Sequence, residues 1–162
     1  MTVDFIELLC RLADNKVQFV IVGGLAAAAY GSPQVTQDID VCIKLSLENL
    51  ENLKNALWEL HPVHRLHPAK PEFKEEGENL VFFKNIYLET DLGQLDCLGE
   101  IKGIGTFGEV LKNSETIELR GKNINILSME ALIKSKEALG RPKDKESVLL
   151  LKAIVEKIKG KN

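Results

Sequence analysis

Two aspartates separated by a single residue, Asp38 and Asp40, are the most informative feature of the sequence. The run from Ile39 to Lys44 alternates in a way that predicts a strand, and alternate side chains of a strand point to the same face. Two carboxylates on one face, within about 7 Å of each other, repel unless a cation lies between them. Carboxylate oxygens select Mg²⁺ or Mn²⁺. The sequence therefore predicts a divalent-metal site at this strand.

A pair of glycines, Gly23 and Gly24, precedes Asp38 by thirteen intervening residues. It lies where a short buried strand, residues 18–22, meets an alanine-rich helix, residues 25–30. Free backbone N–H groups at such a turn attract anions, and residues without side chains let a phosphate approach closely. A phosphate-binding turn beside a metal site is suited to metal-assisted attack on the α-phosphate of a nucleotide.

A third carboxylate, Asp96, is expected on a neighbouring strand. It lies between apolar residues in the run from Gln94 to Leu98, where an acidic side chain is costly unless it faces a site. Asp91 is the alternative third ligand, but it precedes Gly93 and is expected at a strand start or in a turn. In a two-metal mechanism, Asp96 would help to hold the second ion and would act as base toward an incoming hydroxyl group.

The C-terminal part of the chain is basic. Residues 134–162 contain nine Lys or Arg and four Asp or Glu, although the whole chain has a net charge of −3. Lys136, Arg141 and Lys143 in this segment can face phosphates. They can equally form a solvated basic helix end, since cations complement the helix dipole there. The sequence leaves both interpretations open.

Three histidines at three-residue intervals, His61, His64 and His67, suggest a metal site on a helix. Two prolines interrupt that segment, so a regular helix is not expected and neither is a histidine metal site. Tyr30 and Trp58 are expected in the core or at its rim rather than as stacking platforms for a base.

The order of the elements predicts an α/β or α+β fold, with a small mixed sheet flanked by helices. A single domain is expected over residues 1–162, with C-terminal helices, about residues 128–162, packing on it. Predicted helices cover residues 4–15, 25–30, 46–60, 128–139 and 143–158. Predicted strands cover residues 18–22, 39–44, 80–88, 94–98, 115–119 and 123–127, the last two as a hairpin, and residues 61–79 are expected to form a loop.

Nothing in the sequence indicates export or a membrane. No apolar run approaches the roughly 20 residues that span a bilayer, and the N-terminus lacks the pattern of a signal peptide. The three cysteines, Cys10, Cys42 and Cys97, are odd in number and far apart, so we expect a reducing, cytoplasmic setting. Cys42 has the same strand phase as the two aspartates, so it either lines their cleft or packs in the core.

Three motifs together resemble the nucleotidyltransferase superfamily of the DNA polymerase β type. More narrowly, they resemble AbiEii-type bacterial nucleotidyltransferases and related proteins, including MenT-like toxins. The motifs are Gly-Gly-x-Ala-x-x-x-Tyr-Gly with Thr-x-Asp-Ile-Asp (residues 23–40), Thr-Asp-Leu-Gly-x-Leu-Asp (residues 90–96), and Lys-x-x-x-x-Arg-Pro-Lys-Asp (residues 136–144). Together they extend the resemblance over most of the chain.

This resemblance implies the nucleotidyltransferase fold and transfer of a nucleoside monophosphate from a triphosphate with Mg²⁺. It implies that Asp38 and Asp40 bind metal and that Asp96 is the third carboxylate, all three being catalytic. The nucleotide-binding residues that it implies are Gly23, Gly24, Thr36, Lys136 and Lys143. The chain departs from the pattern at Gly24, where many members have a serine whose hydroxyl helps to hold phosphate.

The resemblance also suggests partners and alternatives. The acceptor would be tRNA or a protein side chain, in a toxin–antitoxin or phage-defence setting with a cognate toxin or antitoxin. A different possibility is a module of the same fold that binds nucleotide, or serves as an antitoxin-like partner, without transferring anything. A structural protein with no affinity for nucleotides is the third possibility.

Overall fold

The computed structural model describes residues 4–160, and its centre is a seven-stranded mixed sheet. The chain forms nine strands in this range: β1 (Phe19–Val22), β2 (Asp38–Ile43), β3 (Val63–His64), β4 (Asn85–Thr90), β5 (Gly93–Leu98), β6 (Glu100–Ile101), β7 (Gly105–Thr106), β8 (Ser114–Leu119) and β9 (Lys122–Leu127). The order across the sheet is β3-β4-β5-β2-β1-β9-β8, and β6 and β7 form a separate ribbon. The predicted fold class, a mixed sheet with flanking helices, is confirmed.

Two parallel pairings join elements that are distant in sequence. Strand β2 runs parallel to β5 and antiparallel to β1, while β1 runs parallel to β9. The hairpin of β8 and β9 closes one end of the sheet, and the antiparallel strands β3 and β4 form the other end. The centre of the sheet therefore depends on long-range contacts, and these contacts decide which side chains stand next to each other.

Seven helices accompany the sheet in this part of the chain: α1 (Phe5–Asp14), α2 (Gly23–Ala29), α3 (Leu47–Leu57), α4 (Gly77–Leu80), α5 (Phe107–Lys112), α6 (Met129–Leu139) and α7 (Pro142–Lys159). Local chemistry sets several of their starts. The Ser46 and Ser128 side chains each accept a hydrogen bond from a backbone N–H of the first turn, as expected for N-caps. Helix α2 lies against β1, β2 and α6, and α6 packs on α7.

One continuous apolar core lies under these elements. Ile39 and Val41 of β2 are fully buried, and so are Leu50 and Leu53 of α3. Burying a side chain of this size contributes about 1.5–3 kcal/mol, so the core holds the strands firmly in register. This rigidity matters because the polar face of β2 carries the acidic residues.

The segment between α3 and β5 differs from the sequence prediction. The run from residue 80 to residue 88 was expected to be one strand, but α4 ends at Leu80 and β4 begins only at Asn85. A short apolar run fits a strand or a buried turn equally well, and here Leu80 is buried while Phe82 is 84 % exposed. The expected loop of residues 61–79 also contributes β3 to the sheet edge.

Two further differences are smaller. The ribbon β6–β7 and the helix α5 are absent from the sequence prediction, because they are short and lack a clear period. The other predicted strands and helices are confirmed, and none of their ends differs by more than three residues. Within residues 4–160 no helix is long and apolar enough to cross a membrane.

Candidate active site

Three carboxylates converge on one face of the sheet. In the parallel register of β2 and β5, Asp40 stands directly opposite Asp96, and Asp38 lies two residues earlier on the same face as Asp40. One carboxylate oxygen from each residue lies within 4.8 Å of the others. Three hard oxygen donors at this spacing fit a divalent cation such as Mg²⁺ or Mn²⁺.

The glycine turn meets this cluster directly. Val22 of β1 is paired with Asp40, so the chain turns into α2 beside that carboxylate. Gly23 has a φ of +66°, and a Cβ added there would overlap Asp40 Oδ2. Only glycine combines this backbone conformation with so close an approach. The turn and the carboxylate are therefore in direct contact.

Thr36 borders the same turn. Its hydroxyl donates a hydrogen bond to the Asp38 backbone carbonyl (2.9 Å), which fixes the side chain. A Cβ added to Gly24 would lie 3.0 Å from Thr36 Oγ1. The structure thus brings the threonine hydroxyl next to the position where the resemblance leads us to expect a serine.

Lys136 reaches the site from α6 and is only 9 % exposed. Burial lowers its pKa, and the charges of Asp144 and Asp40 partly offset that effect. None of the ion pairs formed within residues 4–160 includes Lys136. A largely buried lysine without a paired carboxylate is costly, and such residues are often found where an anion binds.

The other two basic residues of the motif lie farther out. Arg141 forms an ion pair with Asp144 (2.6 Å) at the start of α7, where Asp144 also accepts a hydrogen bond from the Arg141 backbone. Lys143 is exposed, but its charge acts on Lys136. Arg141 therefore caps the start of α7, whereas the exposed Lys143 is available to contact a ligand at the edge of the site.

Arg65 is the residue of this site that sequence reasoning missed. It follows β3 and donates hydrogen bonds through Nη2 to both carboxylate oxygens of Asp96, each at 2.6 Å. The same nitrogen lies 3.9 Å from Asp38 Oδ2. The sequence offered no signal for it, because a single arginine in an irregular segment has no period that would assign it to a face.

Burial and the crowding of like charges together control the protonation of the cluster. Burial raises the pKa of Asp40 to about 7, and the neighbouring charges of Asp38 and Asp96 add to that increase. Burial also raises the pKa of Asp96, although Arg65 opposes this. These carboxylates are therefore reluctant to ionise together without an additional cation.

The histidines do not form a metal site. His61 Nδ1 lies 2.5 Å from Asp91 Oδ2, and His64 Nε2 lies 2.6 Å from Glu75 Oε1. His67 instead accepts a hydrogen bond from the backbone of its own turn. Asp91, the alternative third carboxylate, is occupied by His61 and does not belong to the acidic cluster.

Three other side chains resolve alternatives left open by the sequence. Cys42 is fully buried, and burial raises its pKa to about 12, so it packs in the core as a neutral thiol. Trp58 is 76 % exposed rather than part of the core. The Tyr30 hydroxyl donates a hydrogen bond to the Leu127 carbonyl (2.9 Å), which gives it a structural role.

Comparison with known proteins identifies the fold. A candidate nucleotidyltransferase from Thermotoga maritima has a TM-score of 0.55 and 21 % identity, over 88 % of this chain and 86 % of that chain. ANT(2″)-Ia, solved in complex with adenylyl-2″-tobramycin, has a TM-score of 0.57 and 19 % identity, over 94 % and 89 %. The lincosamide antibiotic adenylyltransferase LnuA, solved with lincomycin, has a TM-score of 0.56 and 16 % identity, over 95 % and 99 %.

No protein-family model and no curated protein matches the sequence. The similarity to solved structures is therefore one of fold, and it agrees with the fold that the three sequence motifs implied. These structures do not single out the AbiEii-type or MenT-like branch of the resemblance. The chain has the nucleotidyltransferase fold.

The contact between Gly23 and Asp40 predicts a large effect for a very small substitution. We expect Gly23→Ala to lower the free energy of unfolding by about 1–3 kcal/mol, because it strains the backbone and displaces Asp40. Thermal denaturation measures this loss. Gly108→Ala in α5 is the matched control, since an added Cβ there contacts nothing within 4 Å. Equal melting temperatures for the two variants would contradict the close approach of Gly23 to Asp40.

The raised pKa of Asp40 predicts an unusual pH dependence for the metal-free protein. The folded state binds this proton more tightly than the unfolded chain, whose aspartate pKa is near 3.8. Ionising Asp40 therefore destabilises the fold progressively from about pH 4 to pH 7, and the penalty is complete above that. Asp40→Asn removes the penalty, so its stability relative to the wild type should grow by about 2–4 kcal/mol across this range. Chemical denaturation in a chelator at several pH values tests this, and a constant difference would contradict it.

Proposed function

We propose that this protein is a nucleotidyltransferase that moves a nucleoside monophosphate from a nucleoside triphosphate to a hydroxyl group of an acceptor. The observation that carries the proposal is the convergence of Asp38, Asp40 and Asp96 beside the Gly23 turn. A structural role gives no reason to gather three repelling carboxylates next to a turn made of two glycines. The nucleotidyltransferase fold is compatible with this chemistry, but the fold alone does not imply a function, so the proposal rests on the residues of the site.

The three aspartates would hold the divalent metal, Mg²⁺ or Mn²⁺. When bound, the metal offsets the negative charge of the triphosphate and polarises its α-phosphate. Asp96 is then the base: one of its carboxylate oxygens takes the proton of the acceptor hydroxyl. The acceptor oxygen forms a bond to the α-phosphorus as the bond to the β-phosphate oxygen breaks, and pyrophosphate leaves.

The triphosphate would lie between the glycine turn and α6. Gly23 and Gly24 offer a surface without side chains, and the Thr36 hydroxyl borders it. Lys136 supplies a positive charge that forms no ion pair within residues 4–160, and the exposed Lys143 adds a second charge nearby. Preorganised charges of this kind stabilise the charge that develops on the phosphates during transfer.

The acceptor would approach from the opposite side, over β5 and β4. The strand register continues the polar face there, with Gln94 opposite Asp38 and Glu89 opposite Gln94. A polar, hydroxylated acceptor suits this surface. The resemblance of the motifs favours tRNA or a protein side chain in a toxin–antitoxin or phage-defence setting. The adenylylated tobramycin of ANT(2″)-Ia adds a small antibiotic-like molecule as a candidate.

The transfer reaction predicts that label moves only from the α-position. We expect the protein with Mg²⁺ to transfer label from α-labelled, but not γ-labelled, nucleoside triphosphate to tRNA, protein or an aminoglycoside, offered separately. Asp38→Asn should reduce the rate at least 100-fold, and a chelator should abolish transfer. Glu156→Gln, on the exposed part of α7, is the control and should keep full activity.

The result also separates the proposal from its alternatives. Nucleotide binding without transfer to any acceptor class would favour the non-catalytic module or antitoxin-like partner. A melting temperature unaffected by triphosphate and Mg²⁺ would favour a protein with no nucleotide affinity.

The unpaired charge of Lys136 predicts that its removal weakens nucleotide binding without lowering the stability of the fold. We expect Lys136→Met to weaken nucleoside triphosphate binding about tenfold, because a charge-assisted contact to phosphate is lost. The melting temperature should stay the same or rise, since a buried ammonium group is replaced by an apolar chain of similar length. Calorimetric titration and thermal denaturation measure the two effects. Lys134→Met, exposed on the same helix, should change neither, and unchanged affinity in Lys136→Met would argue against its phosphate role.

A further inference from the structure

Arg65 is already paired with the residue that is proposed to bind metal and accept a proton. Its guanidinium group engages both oxygens of Asp96 through Nη2 and also donates through Nε to Asp96 Oδ1 (3.2 Å). Both partners are largely buried, with side-chain exposures of 20 % for Arg65 and 9 % for Asp96. A forked, desolvated contact of this kind is much stronger than an exposed ion pair.

The surrounding structure holds Arg65 in this position. Its backbone N–H donates to the Tyr87 carbonyl (3.1 Å), and its guanidinium carbon lies 5.5 Å from the centre of the Tyr87 ring. The preceding residue, His64, is fixed by Glu75 and stacks on Phe83. The arginine is therefore delivered to the carboxylates by an anchored segment at the sheet edge rather than by a free surface side chain.

This arrangement conflicts with the site's proposed ligand. A divalent cation held by all three aspartates needs at least one oxygen of Asp96, and both oxygens already accept hydrogen bonds from Arg65. The guanidinium group and a divalent cation also repel each other at contact distance. In addition, Arg65 covers Asp96 from the side of β4, opposite the Gly23 turn, where an acceptor hydroxyl would have to approach.

We propose that Arg65 is an internal counter-ion that holds the acidic cluster together before metal binds and must release Asp96 before that residue can serve as ligand and base. This inference rests on the metal site of the proposed function and adds a regulatory step to it. Arg65 lowers the affinity of the site for divalent cations and keeps Asp96 covered until metal and nucleotide have arrived. Release of the side chain then opens the acceptor side.

Metal affinity tests the competition directly. The test is to compare Mn²⁺ binding in the wild type, Arg65→Gln and Lys70→Gln, using electron paramagnetic resonance and calorimetry. Arg65→Gln should bind Mn²⁺ at least tenfold more tightly, because the competing cation is gone. Lys70→Gln is the matched control: it removes one positive charge from the same segment, but Lys70 pairs with Glu89 (3.1 Å) outside the cluster. Its affinity should stay within about twofold of the wild type.

Stability provides a second readout. In a chelator, Arg65→Gln should melt at a lower temperature than the wild type, since the carboxylates lose their counter-ion. Saturating Mn²⁺ should raise its melting temperature by more than it raises that of the wild type. If Arg65→Gln does not fold without metal, Arg65→Lys replaces it, because lysine keeps the charge but loses the fork. We then expect Mn²⁺ affinity at least threefold tighter than in the wild type.

The outcomes separate this inference from the proposed function. Equal or weaker Mn²⁺ binding in the Arg65 variant that folds overturns the role of Arg65. The metal site itself still stands in that case if the wild type binds Mn²⁺ and Asp40→Asn does not. Absence of Mn²⁺ binding in the wild type and in both Arg65 variants overturns the inference together with the metal-dependent mechanism.

Discussion

Repulsion among three carboxylates is the constraint around which this structure is organised. The charges of Asp38, Asp40 and Asp96 oppose one another, and those of Asp38 and Asp96 add to the effect of burial in raising the pKa of Asp40. The parallel register of β2 and β5 enforces their proximity nonetheless, since each strand is locked by its buried apolar face. The sheet thus holds the carboxylates in an unfavourable arrangement that a bound cation would stabilise.

The turn at Gly23 adds a second constraint on the position of the acidic cluster. Because the turn lies against Asp40, the surface without side chains and the acidic cluster cannot be positioned independently. A shift of β1 against β2 by one residue would separate them and would also exchange the side chains that β1 packs on its two buried faces. Packing of the core therefore fixes the geometry of the site, and the site in turn requires glycine at one position.

The features that could be predicted from the sequence were those with a short-range pattern. Asp38 and Asp40 alternate within one strand, and the glycine pair marks a local change from strand to helix. Asp96 could be identified because it interrupts an apolar strand. Arg65 had no such pattern: it reaches the site from an edge segment whose short strand, β3, was expected to be a loop. The run of residues 80–83 was misassigned because its apolar residues are divided between the core and solvent.

Two cationic side chains flank the cluster, and the difference between them suggests how the site works. Lys136, on the side of α6, is buried without a paired carboxylate, so it gains most from an incoming anion. Arg65, on the side of β4, already pairs with Asp96, so it can pair with an incoming anion only after that contact breaks. A metal–nucleotide complex brings both an anion for Lys136 and a cation that competes with Arg65. Its binding would therefore satisfy the first residue and release the second, which links loading of the nucleotide to exposure of the base.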